Sequence, residues 1–213
     1  NDAPVYTSSI LITVQASVGG SIAGSTAVCT GTNSTVLTLS GQTGSITKWQ
    51  SSLTSNFSTV TDIASTLASI TATNLTATTY YRAVIALGSC SAVNSSVATI
   101  TVNPLPTITV NVIPDVNTSA TSFTIPYTNL SVGADTYSLM TGTSALPGFA
   151  TVSNATITAG TLTITIPASA QNSYDFNLTI TNSTTGCFIQ RTFNLGVSDM
   201  SPGTTGSDQA ICF

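Results

Sequence analysis

The longest strict alternation of apolar and polar residues in the chain reads Tyr174-Asp175-Phe176-Asn177-Leu178-Thr179-Ile180. Because successive side chains of a strand point to opposite faces, this run predicts a β-strand with Tyr174, Phe176, Leu178 and Ile180 on its core face. Shorter alternating runs recur along the chain, and Gly residues and Asn-Ser clusters separate them. Many short strands with turn signals at this spacing predict an all-β sandwich.

The composition also favours strands over helices. Only 5% of the chain is charged: the basic residues are Lys48, Arg82 and Arg191, all seven acidic residues are Asp, and His and Glu are absent. Strong helix formers are therefore scarce, whereas Thr, Val and Ile suit a pleated, half-buried surface. No apolar run approaches the ~20 residues of a spanning helix, which predicts no membrane insertion.

The missing residue types exclude several chemistries. Without His, no Ser-His-Asp or Cys-His arrangement can form, and the Asp residues are scattered rather than paired. No glycine-rich loop follows a strand and opens a helix, and a net charge of -4 lacks the basic footprint of a nucleic-acid-binding protein. We therefore expect no enzyme, no bound cofactor and no nucleic-acid partner.

Internal echoes indicate a tandem array. The run Pro4–Val14 is similar to Ala92–Val102, and Gly24–Cys29 recurs as Gly206–Cys212. Such self-similarity marks a repeat architecture, in which function usually belongs to the whole array. We predict four parts: the last strand of a preceding module (1–14), module one (15–103), module two (104–197), and a linker with the start of a following module (198–213).

Two short segments are interpreted as joints between modules. The small residues of Ser17-Val18-Gly19-Gly20-Ser21 predict a linker. The segment Asn103-Pro104-Leu105-Pro106 predicts a stiff hinge, because Pro fixes φ and lacks an N–H donor.

The positions of aromatic residues narrow the predicted fold to tandem immunoglobulin-like or fibronectin-like sandwiches. Trp49, the only Trp, falls on the third predicted strand, where immunoglobulin-type domains hold a core Trp. Leu75 and Tyr81 have the spacing of a tyrosine corner, in which the Tyr hydroxyl bonds back to the backbone. We expect these three residues, and Tyr174 and Phe176 of module two, to be structural core rather than a ligand-stacking platform.

Several motifs of module one resemble a known family. They are Val28-Cys29-Thr30-Gly31-Thr32-Asn33, Ile46-Thr47-Lys48-Trp49-Gln50-Ser51-Ser52, Tyr80-Tyr81-Arg82-Ala83-Val84 and Thr99-Ile100-Thr101-Val102-Asn103-Pro104. Together they are similar to immunoglobulin-like repeats of large Bacteroidota surface proteins, including SprB-like gliding-motility adhesins exported by type IX secretion. The resemblance is specific over 22–104 and looser over 105–197. It implies an extracellular filament or adhesin attached at the outer membrane.

The four cysteines are Cys29, Cys90, Cys187 and Cys212, and none forms a CxxC pair, which disfavours a zinc site. Sparse cysteines in a Ser/Thr-rich all-β chain predict an exported protein with disulfides. Cys29–Cys90 is the leading pair. Cys187 has no opening partner in its own module, so either Cys187 pairs with Cys212 or Cys212 pairs beyond the sequence.

Two further features of the sequence concern calcium binding and glycosylation. Asp115, Asp199 and Asp208 lie near predicted joints, where calcium would stiffen an array, but without a DxDxD run we favour solvated loop carboxylates. Nine Asn-x-Ser/Thr sequons occur, which we interpret mainly as a product of composition: Asn33, Asn56, Asn74, Asn94, Asn117, Asn129, Asn154, Asn177 and Asn182.

The function expected from these features is structural and adhesive. The chain would be a repeat segment of a large surface adhesin or filament that spaces or presents adhesive regions in gliding or attachment. Its partners would be other modules of the same chain, a surface polysaccharide or other filament subunits. Strand edges without Lys are poorly guarded against pairing, which supports a self-assembling fibre or sheath subunit as the alternative. A carbohydrate-binding module is less favoured because exposed aromatic clusters are missing.

Overall fold

The computed structural model describes residues 15–142, 149–158, 160–168 and 170–199, and all regular structure in them is β-strand. The chain divides into two compact units between Asn103 and Pro104, here called unit 1 and unit 2. The predicted strand over residues 1–14 lies outside the described residues, as does the predicted following module beyond Asp199.

Unit 1 is a sandwich of two sheets. Its strands are β1 (Ser21–Ala23), β2 (Thr26–Cys29), β3 (Ser34–Ser40), β4 (Ser45–Ser52), β5 (Thr61–Ile63), β6 (Ser69–Thr73), β7 (Thr79–Ala86), β8 (Val93–Asn94) and β9 (Ala98–Asn103). The smaller sheet has the order β1-β3-β6 and the larger β2-β9-β7-β4-β5, with β8 also paired to β7. Strand β2 runs parallel to β9, and the other pairs are antiparallel.

Unit 2 repeats this arrangement. Its strands are β10 (Thr109–Val110), β11 (Val116–Asn117), β12 (Ser122–Thr128), β13 (Thr136–Thr141), β14 (Val152–Thr156), β15 (Thr161–Thr165), β16 (Asn172–Thr181) and β17 (Phe188–Ser198). The sheets have the orders β10-β12-β15 and β11-β17-β16-β13-β14, and β11 runs parallel to β17. The predicted fold class is confirmed: both units are immunoglobulin-like or fibronectin-like sandwiches.

The first strand of each sandwich is split between the two sheets. In unit 1, β1 pairs with β3 of the smaller sheet and β2 with β9 of the larger. In unit 2, β10 and β11 make the equivalent pairs with β12 and β17. Because the first strand is counted as two, β1 and β2, the third strand of the sandwich is β4. Trp49 lies on β4 and therefore on the strand that the sequence predicted.

Each core lies between the two sheets of its unit. In unit 1, Leu37, Trp49, Ile85 and Ile100 are fully buried. In unit 2, the alternating residues Tyr174, Phe176, Leu178 and Ile180 are at most 2% exposed. An aromatic cluster completes this second core, with ring centroids 4.8 to 6.4 Å apart: Phe123, Phe149, Tyr174, Phe176 and Phe193.

The predicted linker at 17–21 is wrong, because this segment packs onto unit 1. Val18 and Thr43 exchange two backbone hydrogen bonds of 3.0 Å. A Cβ on Gly19 would lie 2.0 Å from the carbonyl oxygen of Asn94, and Gly20 has a φ of +72°. The two glycines therefore allow a close backbone approach rather than a flexible joint.

Trp49→Ala should destabilise unit 1 by about 3–5 kcal/mol, because the indole is fully buried and its Nε1–H donates to the Leu67 carbonyl at 3.0 Å. Urea unfolding followed by circular dichroism measures the change. Val36→Ala, at a residue that is 56% exposed, is the control and should change stability by less than about 0.5 kcal/mol. Equal effects of the two substitutions would contradict a central role for the indole.

Candidate functional site

A polar network crosses the outer face of the larger sheet of unit 1. The Lys48 ammonium donates to Asp62 at 2.7 Å, and the Gln50 amide donates to the same carboxylate at 2.8 Å. The Arg82 Nε donates to Gln50 Oε1 at 2.8 Å. These residues lie on the adjacent strands β5, β4 and β7, so sheet pairing aligns them.

The loop between β4 and β5 is fastened to this network by an aromatic contact. The Arg82 guanidinium lies 4.1 Å from the centroid of the Phe57 ring, within the range of a cation–π interaction. Phe57 has a φ of 54°, which is unfavourable for a bulky residue, yet its side chain is only 9% exposed. The contact with Arg82 helps to hold this strained conformation and thereby fixes the loop.

The ionised form of Asp62 is stabilised by its two partners on β4. Hydrogen bonds from Lys48 and then Gln50 hold the pKa of Asp62 below the ordinary aspartate value. Since Lys48 and Asp62 are both partly exposed, their ion pair contributes little to stability. The network orders a loop through charge and hydrogen bonding, and it offers no paired carboxylates or activated nucleophile for catalysis.

A groove of about 610 Å³ lies on the other side of that loop, here called the side groove. One wall includes Leu53, Thr54 and Thr61 of the β4–β5 segment, and the other includes Leu75, from the loop after β6, and Tyr81 of β7. None of its lining residues is charged.

Tyr81 belongs to both the core and the side groove. The residue is 5% exposed, and burial raises the pKa of its hydroxyl above the ordinary value. The hydroxyl has no hydrogen-bond partner among the described residues, so the predicted corner bond to the backbone is not found there. Leu75 packs at the margin of the same core, and its backbone N–H donates to Asn33 Oδ1 at 2.9 Å.

Two carboxylates of unit 2 satisfy a backbone or hydroxyl donor where β11 meets β17. Asp115 accepts from the Gly196 N–H at 3.1 Å, and Asp199 accepts from the Thr118 hydroxyl, so both support the pairing of β11 with β17. Within the described residues no group of three or more His, Cys, Asp or Glu side chains is placed to hold a metal ion. Asp208 lies outside those residues, and calcium at a joint stays a prediction.

Asp135 braces the loop between β16 and β17. Its carboxylate accepts from the Ser183 backbone N–H at 2.9 Å and from the Ser183 hydroxyl. The hydroxyl bond first, and the N–H bond next, hold the pKa of Asp135 below the ordinary aspartate value. The ionised form is therefore the one that the folded unit stabilises.

The cysteines differ from the leading predicted pair. Cys29 and Cys187 are each disulfide-bonded, whereas Cys90 is a free, exposed thiol, so the Cys29–Cys90 pair is wrong. Cys29 lies beside Asn103 at one end of the larger sheet, and Cys90 follows the far end of β7. The eight residues of β7 span roughly 25 Å, far beyond the ~7 Å that a disulfide permits between Cα atoms. Cys212 lies outside the described residues.

Most of the sequons have a structural explanation in turns. The side chains of Asn56, Asn117 and Asn182 each accept a backbone N–H from the Ser or Thr two residues later. This Asx-turn geometry favours Asn followed by a small hydroxyl residue. Three other sequon residues have positive φ: Asn74, Asn129 and Asn154. Local backbone demands therefore add to composition as a cause of the pattern.

Sequence reasoning missed the network and its loop. Gln50 and Asp62 are direct cross-strand partners, so a hairpin signal between β4 and β5 would have aligned them. The three-residue strand β5 was not predicted. No sequence signal indicates that Phe57 packs against Arg82. Phe57 lies in the loop between β4 and β5, whereas Arg82 lies on β7, 25 residues later in the chain.

The described part of the chain contains no helix that is long and apolar enough to cross a membrane.

Comparisons with known proteins found one matching family and several similar solved structures. Residues 18–104 match the family described as "Domain of unknown function (DUF8696)", and no curated protein matches the chain. Similar solved structures include the fibronectin(III)-like modules of Clostridium thermocellum CbhA, with 12% identity and a TM-score of 0.39 over 85% of this chain and 92% of that one.

Two further structures extend this comparison. Immunoglobulin domains 1–5 of Sidekick-1 show 15% identity and a TM-score of 0.36 over 86% of this chain and 40% of theirs. An I-band fragment of titin shows 10% identity and a TM-score of 0.42 over 86% of this chain and 66% of its own. At such low identities the likeness concerns the fold alone.

Acid should remove the stabilisation that Asp135 provides. Because folding lowers the pKa of Asp135, its contribution is present above the ordinary aspartate value and is lost as the pH falls through the folded value. Urea unfolding from about pH 7 to about pH 2 should show a smaller pH dependence for Asp135→Asn than for the wild type. Ser183→Ala, which removes one donor, should fall between them; an unchanged profile in both variants would contradict this role.

Native alkylation should distinguish the cysteines. Cys90 should react with a maleimide in the folded chain, whereas Cys29 and Cys187 should react only after reduction, as read by peptide mass spectrometry. Cys90→Ser should change stability by less than about 0.5 kcal/mol, because the thiol is exposed. Labelling of Cys90 only after reduction would restore the pair predicted from the sequence.

Proposed function

We propose that the chain is a structural repeat segment of a large cell-surface protein, in which it spaces or presents adhesive regions. The observation that supports this most directly is the repetition of one strand order in two consecutive units. Repeated modules of one topology are the usual way to build length, since each adds a similar folded body to the chain.

The chemistry of the surface supports the same role. The polar groups described in both units brace strands and loops: Asp62 on β5 accepts a hydrogen bond from Gln50 on β4, and Asp115 and Asp135 accept backbone N–H groups of unit 2. Disulfide bonds at Cys29 and Cys187 suit an exported protein in an oxidising environment. A secreted or surface location follows from this proposal.

The finer assignment rests on the resemblance of 22–104 to repeats of Bacteroidota adhesins. On that basis the segment belongs to a gliding or attachment adhesin exported by type IX secretion. Its partners are then neighbouring modules of the same chain, with a surface polysaccharide as the target of the complete adhesin.

A second candidate function is a self-assembling fibre. Among the described strands, β6 and β15 end the smaller sheets on the side away from the split first strand, with the sequences Ser-Ile-Thr-Ala-Thr and Thr-Leu-Thr-Ile-Thr. Neither carries a charge. Uncharged, alternating edge strands are open to pairing with another chain.

Module replacement in the complete surface protein tests the spacer role. An unrelated immunoglobulin-like tandem of equal length should preserve cell attachment, whereas deletion of the segment should reduce it, with surface display matched by antibody labelling. Loss of attachment after replacement at equal display would contradict a spacer. Sedimentation of the purified chain over a concentration series tests the fibre: polymers that Thr71→Lys and Thr163→Lys abolish would favour it over a spacer.

A further inference from the structure

Strand β17 of unit 2 has a long edge that no described strand covers. Every residue of β17 from Phe188 to Val197 pairs with β16 on one side. On the other side, β11 pairs only with Val197 and Ser198. The equivalent strand of unit 1 is better covered, because β2 pairs with four of the six residues of β9. Residues 188–195 therefore form a free strand edge, here called the β17 edge.

The direction of the backbone groups on β17 follows from the bonds at its end. The Thr118 N–H donates to the Ser198 carbonyl, and the Gly196 N–H donates to the Asp115 carboxylate. Even-numbered residues therefore direct their N–H and C=O groups away from β16, since the two directions alternate along a strand. By the same alternation, four further residues have their backbone groups on the β17 edge: Phe188, Gln190, Thr192 and Asn194.

A charged side chain lies on the core side of this edge. Arg191 is directly opposite Leu178, which is fully buried, and Phe193 packs against the core two residues further along β17. The register therefore assigns Arg191 to the face that turns toward the smaller sheet, yet the residue is exposed. Its guanidinium donates to the Gln190 carbonyl at 3.2 Å, so it lies at the β17 edge and occupies one of the acceptors there.

A second strand on the β17 edge would enclose this charge. Enclosing a charge without a counter-ion is strongly unfavourable, and no carboxylate among the described residues forms an ion pair with Arg191. The sequence of β17 is Phe-Ile-Gln-Arg-Thr-Phe-Asn-Leu-Gly-Val-Ser. The same strand of a second copy would therefore bring another arginine and no acidic residue. Like charges on paired strands are destabilising, and inward-pointing charges are one means by which sheet edges resist pairing.

We propose that Arg191 prevents the β17 edge of one copy of the chain from pairing with the β17 edge of another. The charge makes this edge repel its own copy, although every other residue of the strand is uncharged. The edge strands β6 and β15 of the smaller sheets contain no such residue. The inference is independent of the spacer role, because it concerns the association of the purified chain and not the attachment of cells.

Removal of the charge should make the chain dimerise. Sedimentation of the whole 213-residue chain over a concentration series measures this, in a background with Thr71→Lys and Thr163→Lys that places charges on the edges of the smaller sheets. Adding Arg191→Thr should strengthen self-association at least about tenfold over the background. Lys48→Thr is the matched control, since it changes the net charge equally but lies on β4 of unit 1, and it should leave the chain monomeric.

Three further variants separate the charge from the fold and locate the contact. Arg191→Lys keeps the charge and should stay monomeric, whereas Arg191→Gln, a second neutral variant, should dimerise as Arg191→Thr does. Adding Thr192→Pro to Arg191→Thr should abolish dimerisation, because proline removes an N–H from the β17 edge and no ladder bond to β16.

The proposal is overturned if both neutral variants sediment like the background, or if Arg191→Lys or Lys48→Thr associates as strongly as they do. Dimerisation that persists after Thr192→Pro would also overturn it, since the contact would then lie elsewhere.

Discussion

Each unit depends on burial of one face of its central strand. In unit 1 the inward residues of β7 include Tyr81, Ala83 and Ile85, and in unit 2 those of β16 run from Tyr174 to Ile180; all are at most 5% exposed. Both strands lie in the middle of the larger sheet, so their apolar faces draw the smaller sheet onto the larger by the hydrophobic effect. The outward residues of these strands are then free to carry Arg82 or Asp175 without cost to the core.

The sandwich is closed on one side and open on the other. The split first strand links the two sheets of each unit through β1 and β2 or through β10 and β11. On the opposite side of unit 1, β5 and β6 both end their sheets, and the side groove lies next to them. The spacer role uses the repeated body of the units, which the split first strand closes on one side.

The low charge of the chain limits the number of ion pairs that it can form. With three basic residues in the chain, the meeting of Lys48 and Arg82 around Gln50 and Asp62 concentrates two of them on one face. Elsewhere many polar contacts come from hydroxyl and Asn side chains within turns, as at Asn56 and Asn182, and carboxylates such as Asp115 and Asp135 accept further backbone N–H groups. The contacts within turns specify local backbone geometry.

The sequence by itself determined the all-β class and the buried face of β16, because alternation is a local property that each strand carries in its own residues. Only the tertiary structure decided which distant residues meet. It showed that Cys29 and Cys90 lie at opposite ends of a sheet, that Gly19 and Gly20 pack rather than link, and that Phe57 covers Arg82. These outcomes depend on strand register and loop paths, which arise from many long-range contacts at once and leave no periodic signal in the chain.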